Sequence, residues 1–128
     1  MSFIVMIVDD SKLARMSVAK ALRALQPAWT HLEAANADEA LQQVRQHKVD
    51  LALLDFNMPG RDGLALAAEL RTLDAKLPLA VVSANHQEEI IRKAAEIGAA
   101  FLPKPLTEKV LNDFLSTLTV HTDPAPLG

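Results

Sequence analysis

The sequence predicts an α/β domain, a doubly wound (βα)5 three-layer sandwich in which a parallel five-stranded sheet is covered by helices on both faces. Three observations predict it. Short runs rich in Val, Ile and Leu end repeatedly in an acid or a hydroxyl, as strands buried on both faces do. Between them lie segments whose apolar residues recur at helical spacing. The connections are short, so strand and helix alternate five times along the chain. Right-handed crossovers follow almost without exception from such an order.

The first strand is Phe3 to Val8, closed by Asp9-Asp10. Ser11 to Leu25 follows as a helix, with Leu13, Met16, Val18, Leu22 and Leu25 on its inward face and Pro27 just beyond it. His31 to Ala34 is a short strand, and Asp38 to His47 a helix built around Ala40, Leu41 and Val44. Leu51 to Leu54 is the third strand, closed by Asp55, and Asn57-Met58-Pro59-Gly60 is turn chemistry. Gly63 to Leu73 reads as a helix with Leu64, Ala67, Ala68 and Leu70 inward. Pro78 opens the fourth strand, Leu79 to Val82, which stops at Ser83. Gln87 to Ile97 is a helix with Asn85 as its cap and Gly98 at its end, a residue suited to the left-handed position there. Ala100 to Leu102 is the fifth strand and Thr107 to Leu118 the fifth helix.

Composition bounds the rest. The chain has 128 residues, half of them hydrophobic and 23% charged, which suits one globular core and leaves no room for a second. Residues 1–118 make the domain. Residues 119–128, with Pro124 and Pro126 and no apolar pattern, read as a flexible tail or the stump of a linker. The absence of cysteine excludes a disulfide scaffold, a thiolate metal site and a thiol nucleophile. A net charge of −3 argues against direct binding to nucleic acid or an anionic membrane. No run reaches the ~18 apolar residues of a membrane span. The apolar start lacks a basic leader and runs into Asp9-Asp10, so it is a buried strand of a cytoplasmic protein rather than a signal peptide.

The chemistry collects at strand ends. In an open parallel sheet ligands bind outside the carboxyl ends of the strands. There the first strand delivers Asp9 and Asp10, the third Asp55, the fourth Ser83 and the fifth Lys104 between two prolines. Each has a plainer explanation taken singly: a helix cap, an Asx turn before Pro59, a loop hydroxyl, a solvated lysine. All at one edge of one sheet, they make a site. Three clustered carboxylates repel one another unless a cation sits among them, and carboxylate oxygens with phosphate suit Mg²⁺.

Val8-Asp9-Asp10-Ser11, the stretch Leu53 to Gly63, Ser83-Ala84 and Lys104-Pro105 together resemble the receiver domain of two-component response regulators, in order and in spacing, over residues 3–118. The resemblance implies the CheY-like, flavodoxin-like strand order 2-1-3-4-5. It implies that Asp55 accepts a phosphoryl group from a sensor histidine kinase or a histidine phosphotransfer protein. Asp10, supported by Asp9 and joined by Asp55 and the backbone carbonyl of Asn57, would hold Mg²⁺. Lys104 would pair with a phosphoryl oxygen, and with Asp55 beforehand, aimed inward by a cis bond to Pro105. Ser83 and Phe101 would be the switch residues, and Asn57 and Asn85 would tune the lifetime of the acyl phosphate. Ser83 stands where threonine is more frequent and keeps the hydroxyl; Phe101 stands where tyrosine is frequent and lacks one. The readout would be a downstream effector or output domain on the fourth helix, fifth strand and fifth helix. Few charges in the fifth helix and no arginine after Arg92 suggest a monomer or weak dimer.

Competing functions fare worse on the residues. A haloacid-dehalogenase-like phosphatase carries a second aspartate two places after the first, where Asn57 stands, and needs a cap domain. A flavin binder wants an uncharged phosphate-cradling loop where Asp9-Asp10 would repel it, and aromatic residues are only 4% of the chain. A phosphorylation-independent module with this fold would lack one of the site residues, and all five are present. His31, His47, His86 and His121 lie in unrelated segments without metal-ligand spacing, His86 in the first turn of a helix. Ser11 and Met58 read as turn and helix-start residues lining the site.

Overall fold

The apolar runs close to the predicted elements. In the computed structural model, which describes residues 3–85 and 87–122 (residues 119–122 by their backbone only), the order is β1 (Ile4–Val8), α1 (Lys12–Leu25), β2 (Thr30–Ala34), α2 (Ala37–Gln46), β3 (Leu51–Asp55), α3 (Gly63–Leu73), β4 (Leu79–Ser83), α4 (Glu88–Glu96), β5 (Ala99–Pro103) and α5 (Glu108–Thr122). All strand pairs are parallel, in the order β2-β1-β3-β4-β5. No helix among the described residues is long and apolar enough to cross a membrane.

Because successive strand residues face opposite sides, two cores form. Met6, Val8, Leu54, Leu79 and Val81 pack with Leu41, Leu66, Leu70 and Ala94 on one side. Val5, Ile7, Leu51, Leu53, Ala80, Val82 and Leu102 pack with Leu22, Leu111, Phe114 and Leu115 on the other. β1, β3 and β4 are the interior strands, and β3 and β4 are buried at every position, apolar up to the Asp55 and Ser83 that end them. β2, at an edge, exposes Thr30 and Glu33 and half-buries His31 and Leu32, so neither face is continuously apolar and its sequence signal is weak.

Several expectations are corrected. Leu13 and Met16 are 78% and 52% exposed. The apolar residues of α1 that pack over the strands are Val18, Ala19, Ala21, Leu22 and Leu25, all from its later turns. On α3 the buried line is Gly63, Leu66, Ala67 and Leu70, so Leu66 replaces Ala68, which is exposed. α5 runs on to Thr122, four residues past its predicted end and into the segment read as tail. The tail beyond it, 123–128, the side chain of His121, and His86 with its expected place in a helical turn all lie outside the described residues.

Most helix starts carry side-chain caps: Ser11 accepts from Ala14 N, Asn36 from Glu39 N, Asp62 from Ala65 N and Thr107 from Val110 N. α4 is the exception. Its N-cap is Gln87, without a side-chain hydrogen bond, and not Asn85. Ser83 Oγ accepts from Asn85 N at 2.9 Å and Asn85 Oδ1 from Gln87 N at 3.2 Å. These two successive side-chain turns spend Asn85 on the loop and leave the helix to start later. The other end of α4 is well held. Arg71 donates from Nε to Ile97 O at 2.9 Å and from Nη2 to Gly98 O at 3.1 Å, and from Nη1 to the carbonyls of Asp74 and Ala75.

Candidate functional site

Strand register assembles the site. Val8 pairs with Leu54, Asp55 with Val82 and Ser83 with Pro103, so Asp9, Asp55, Ser83 and Lys104 fall at the same carboxyl edge of four adjacent strands. Alternation along β3 puts Asp55 on the same face as Leu51 and Leu53, beneath α1 and α5.

Asp55 is 6% exposed. The Lys104 ammonium stands 2.6 Å from its Oδ1, a buried oxygen for which this ion pair is the one close polar partner among the described residues. The Lys104-Pro105 bond is cis, as the resemblance implied. The backbone is pinned on both sides: Phe56 N donates to Val82 O, Gly63 N to Phe56 O, and Lys104 N to Ser83 O.

Asp9 is buried and Asp10 exposed. Asp9 N donates to Ala34 O at 3.1 Å, and its Oδ1 accepts from Ser11 N at 2.9 Å. Burial pushes the Asp9 carboxyl above its ordinary range, and the nearby charges of Asp55 and Asp10 push the same way. The Ser11 N–H and the Lys104 ammonium offset part of that rise.

One oxygen each of Asp9, Asp10 and Asp55 lie within 4.8 Å of one another. A hard divalent cation fits this donor set: the ligands are all carboxylate oxygens, and the single ammonium of Lys104 leaves three clustered carboxylates only partly neutralised. No histidine joins a candidate metal group among the described residues. Beside the carboxylates a cavity of about 200 Å³ opens between α1 and the start of the loop to α5, walled by Ala14, Val18, Leu53, Val82 and Leu106.

The model of the response regulator receiver domain family matches residues 5–116. The chain belongs to that family. This receiver is 30% identical over 116 residues to the chemotaxis protein CheY of Bacillus subtilis, covering 89% of this chain and 96% of that protein. It is 34% identical over 105 residues to the transcriptional regulatory protein PdtaR of Mycobacterium tuberculosis, covering 80% of this chain and 50% of that one. The receiver spans about half the length of several curated relatives it matches. Among solved structures it superposes, with a TM-score of 0.82 and 27% identity, on a chain of the CheX-CheY-BeF3-Mg complex from Borrelia burgdorferi, over 91% of this chain and 89% of that one.

The receiver brings Asp9, Asp10, Asp55 and Lys104 into direct proximity and buries Ser83 at the next strand end. Asn57 and Asn85 are exposed on the loops after β3 and β4. Phe101 is half-buried in β5, in neither of the two cores. Met58 is buried in the core against α3, a packing residue, and Ser11 is the α1 cap. Sequence reading passes over Arg15 and Glu33. Arg15 Nη1 donates to Asp9 O at 2.6 Å and its Nε to Glu33 Oε1 at 2.8 Å.

Proposed function

We propose that this receiver accepts a phosphoryl group on Asp55 from a phosphohistidine of a sensor kinase or histidine phosphotransfer protein, in a Mg²⁺-dependent reaction. It then signals to a downstream effector by shifting the loop after β4 and α4. The observation that carries this reading is the environment of Asp55: buried, ion-paired with the Lys104 ammonium and grouped with two further carboxylates. That a related chain was crystallised in a complex with BeF3 and Mg supports it.

In the transfer an Asp55 oxygen forms the new P–O bond as the P–N bond to the donor imidazole breaks. The imidazole nitrogen keeps the bonding pair and takes up a proton from solvent. Phosphoryl transfer asks mainly for positioning and charge neutralisation, which is what these residues supply. Asp10, with Asp9 in support and joined by Asp55 and the backbone carbonyl of Asn57, would hold Mg²⁺, which would supply neutralising charge to the phosphoryl oxygens. Lys104 moves its ammonium from Asp55 to a phosphoryl oxygen as a point charge. Ser83 turns its hydroxyl to donate to another phosphoryl oxygen. Its Oγ now accepts from Asn85 N, so that movement pulls on the turn leading into α4, the helix whose start has no side-chain cap. Phe101 follows inward. Asn57 and Asn85 have no ionisable group, so they set the acyl-phosphate lifetime by placing water rather than as bases. The only chemistry is on the receiver's own side chain, gain and hydrolysis of the acyl phosphate, and its place is the cytoplasm.

The effector face is α4, β5 and α5, where Ile91 and Phe101 offer apolar surface. On α4 four of the five charges pair within the helix, Arg92 with Glu96 and Lys93 with Glu89, which leaves little for a charged dimer network and favours a monomer or weak dimer. Sedimentation of the phosphorylated form over a range of concentrations checks this; a tight dimer contradicts it.

Intact mass after incubation with Mg²⁺ and a small-molecule phosphodonor tests the function. One added phosphoryl group in the wild type, absent without metal and absent in Asp55→Ala, is the expected result. If no group is gained, and a beryllofluoride titration followed by NMR also leaves the spectrum unchanged, the reading fails.

A further inference from the structure

We propose that Arg15 is a positioning residue for the cation site, fixing the Asp9 peptide so that the Asp9 and Asp10 carboxylates converge, with Glu33 as its brace. This rests on the reading of Asp9, Asp10 and Asp55 as cation-binding carboxylates.

The start of α1 breaks a local rule. Helix N-termini favour acids and disfavour cations, yet α1 has no acid in its first turn and opens Lys12-Leu13-Ala14-Arg15. Such a violation needs a compensating interaction elsewhere. Helical side chains lean toward the N-terminus, which carries the Arg15 guanidinium back over the loop that precedes its own helix. There it is 14% exposed and binds two acceptors, Asp9 O through Nη1 and Glu33 Oε1 through Nε. A planar fork can serve both at once; an ammonium cannot hold the same pair in the same directions.

The two acceptors are themselves tied together. Asp9 N donates to Ala34 O, so the residue next to Glu33 on β2 grips one end of Asp9 while Glu33, through Arg15, grips the other. Glu33 O in turn accepts from Gln43 Nε2 of α2 at 3.2 Å. The Asp9 peptide is thereby fixed at its nitrogen, its carbonyl and its side chain. Asp10 has no such support: it is exposed and its carboxylate makes no hydrogen bond among the described residues. Its direction is set by the backbone between Asp9 and Asp10, and the carbonyl that Arg15 holds belongs to that peptide. Three carboxylates that repel one another stay convergent only if the backbone carrying two of them cannot swing away.

The sign of one effect separates this role from a purely electrostatic one. A guanidinium acting only as a nearby positive charge repels Mg²⁺, so its removal tightens binding. A guanidinium acting through the Asp9 peptide gives the opposite result. Calorimetric titration of the full chain with MgCl2 in Arg15→Met should show affinity reduced about 10-fold, the scale on which residues that orient metal ligands act. Glu33→Gln, an exposed and conservative change that keeps the fold testable if Arg15→Met does not express, should weaken binding by less and in the same direction. The double variant should bind no worse than Arg15→Met, because both changes break one chain of contacts. Arg15→Lys should recover only part of the loss. A fall in Tm with unchanged or tightened Mg²⁺ affinity in the variants, or additive losses in the double variant, overturns the role of Arg15. A wild type that binds no Mg²⁺ overturns the cation site itself and the role with it, and is distinguished by the wild-type titration alone.

Discussion

Gly63 lies so close to Asp55 that no side chain can stand between them: a Cβ on Gly63 would collide with the Asp55 carbonyl oxygen and stand 2.9 Å from Phe56 Cα. The first residue of α3 is thus packed directly on the backbone of the proposed phosphoryl acceptor. Gly63→Ala should shift the Asp55-Phe56 peptide, lower stability by about 1–3 kcal/mol as overpacking does, and slow phosphoryl incorporation. Gly60→Ala makes the contrast. A Cβ there meets nothing, but φ is +80°, so about 1–2 kcal/mol of stability should go without loss of incorporation in the folded fraction. Urea unfolding read beside intact mass checks both.

Among the described residues, Lys104 and Asp55 form the one ion pair at the site with a buried partner. Lys104→Met removes a cation that competes for Asp55 and one that the transferring phosphoryl group needs. Mg²⁺ affinity should therefore rise while the rate of phosphorylation at saturating Mg²⁺ falls by about 10²-fold. Calorimetry and a time course of intact mass give the two numbers, and a parallel fall of both would contradict the assignment.

Ser83→Ala separates chemistry from response. The hydroxyl now accepts from Asn85 N, and its loss leaves the acceptor carboxylate and Lys104 in place. Phosphoryl incorporation should stay within about threefold of wild type, a loss under ~1 kcal/mol. The change in hydrogen exchange at the start of α4 on phosphorylation should largely disappear. Exchange that responds as in the wild type would remove Ser83 from the switch.

Asp9 gives a pH dependence with a definite sign. Its carboxyl is raised above 3.8 in the folded protein, chiefly by burial, so folding favours the protonated form. In the metal-free protein that contribution is full below pH 3.8 and is lost as pH rises through the folded value. At neutral pH Asp9→Asn should therefore raise the metal-free Tm, by about 2–5 °C, and reduce the further rise that Mg²⁺ gives the wild type. Thermal melts with and without Mg²⁺ decide it.

His31 titrates the other way. Burial, helped by Arg23, lowers its pKa below 6.5 in the folded protein, and its Nε2 is buried without a hydrogen bond. The unfolded chain takes up the proton more readily, so stability is full above pH 6.5 and falls as pH drops through that value toward the folded one. His31→Leu should flatten this part of the profile, read as the urea midpoint at several pH values with Trp29 fluorescence as the probe.

The sequence displays what depends on strand burial and hides what depends on where helices sit. β1, β3 and β4 are legible because an interior parallel strand is covered on both faces and is apolar as far as that cover reaches. The same strands end where burial ends, which is why Asp55 and Ser83 can be read as site residues. Leu13 and Met16 mislead because periodicity gives the apolar residues of α1 without telling which turns lie over the sheet. Asn85 misleads because a side chain that can cap a helix can equally close a turn, and Ser83 decides between them. Arg15 goes unread because its partner is a main-chain oxygen, which no residue pattern reveals; the only trace is a cation where a helix start disfavours one. The strand order came from the resemblance, since alternation alone fixes neither neighbours nor edges.

The unequal fastening of α4 has a mechanical consequence. At Gly98 the helix is built into the rest of the molecule through Arg71, while at Glu88 it rests on a turn with no side chain gripping it. It is a cantilever with its loose tip beside Ser83. A push delivered at that tip deflects the near turns most and dies out toward the root, so a protein reading α4 gains most by touching its first turns.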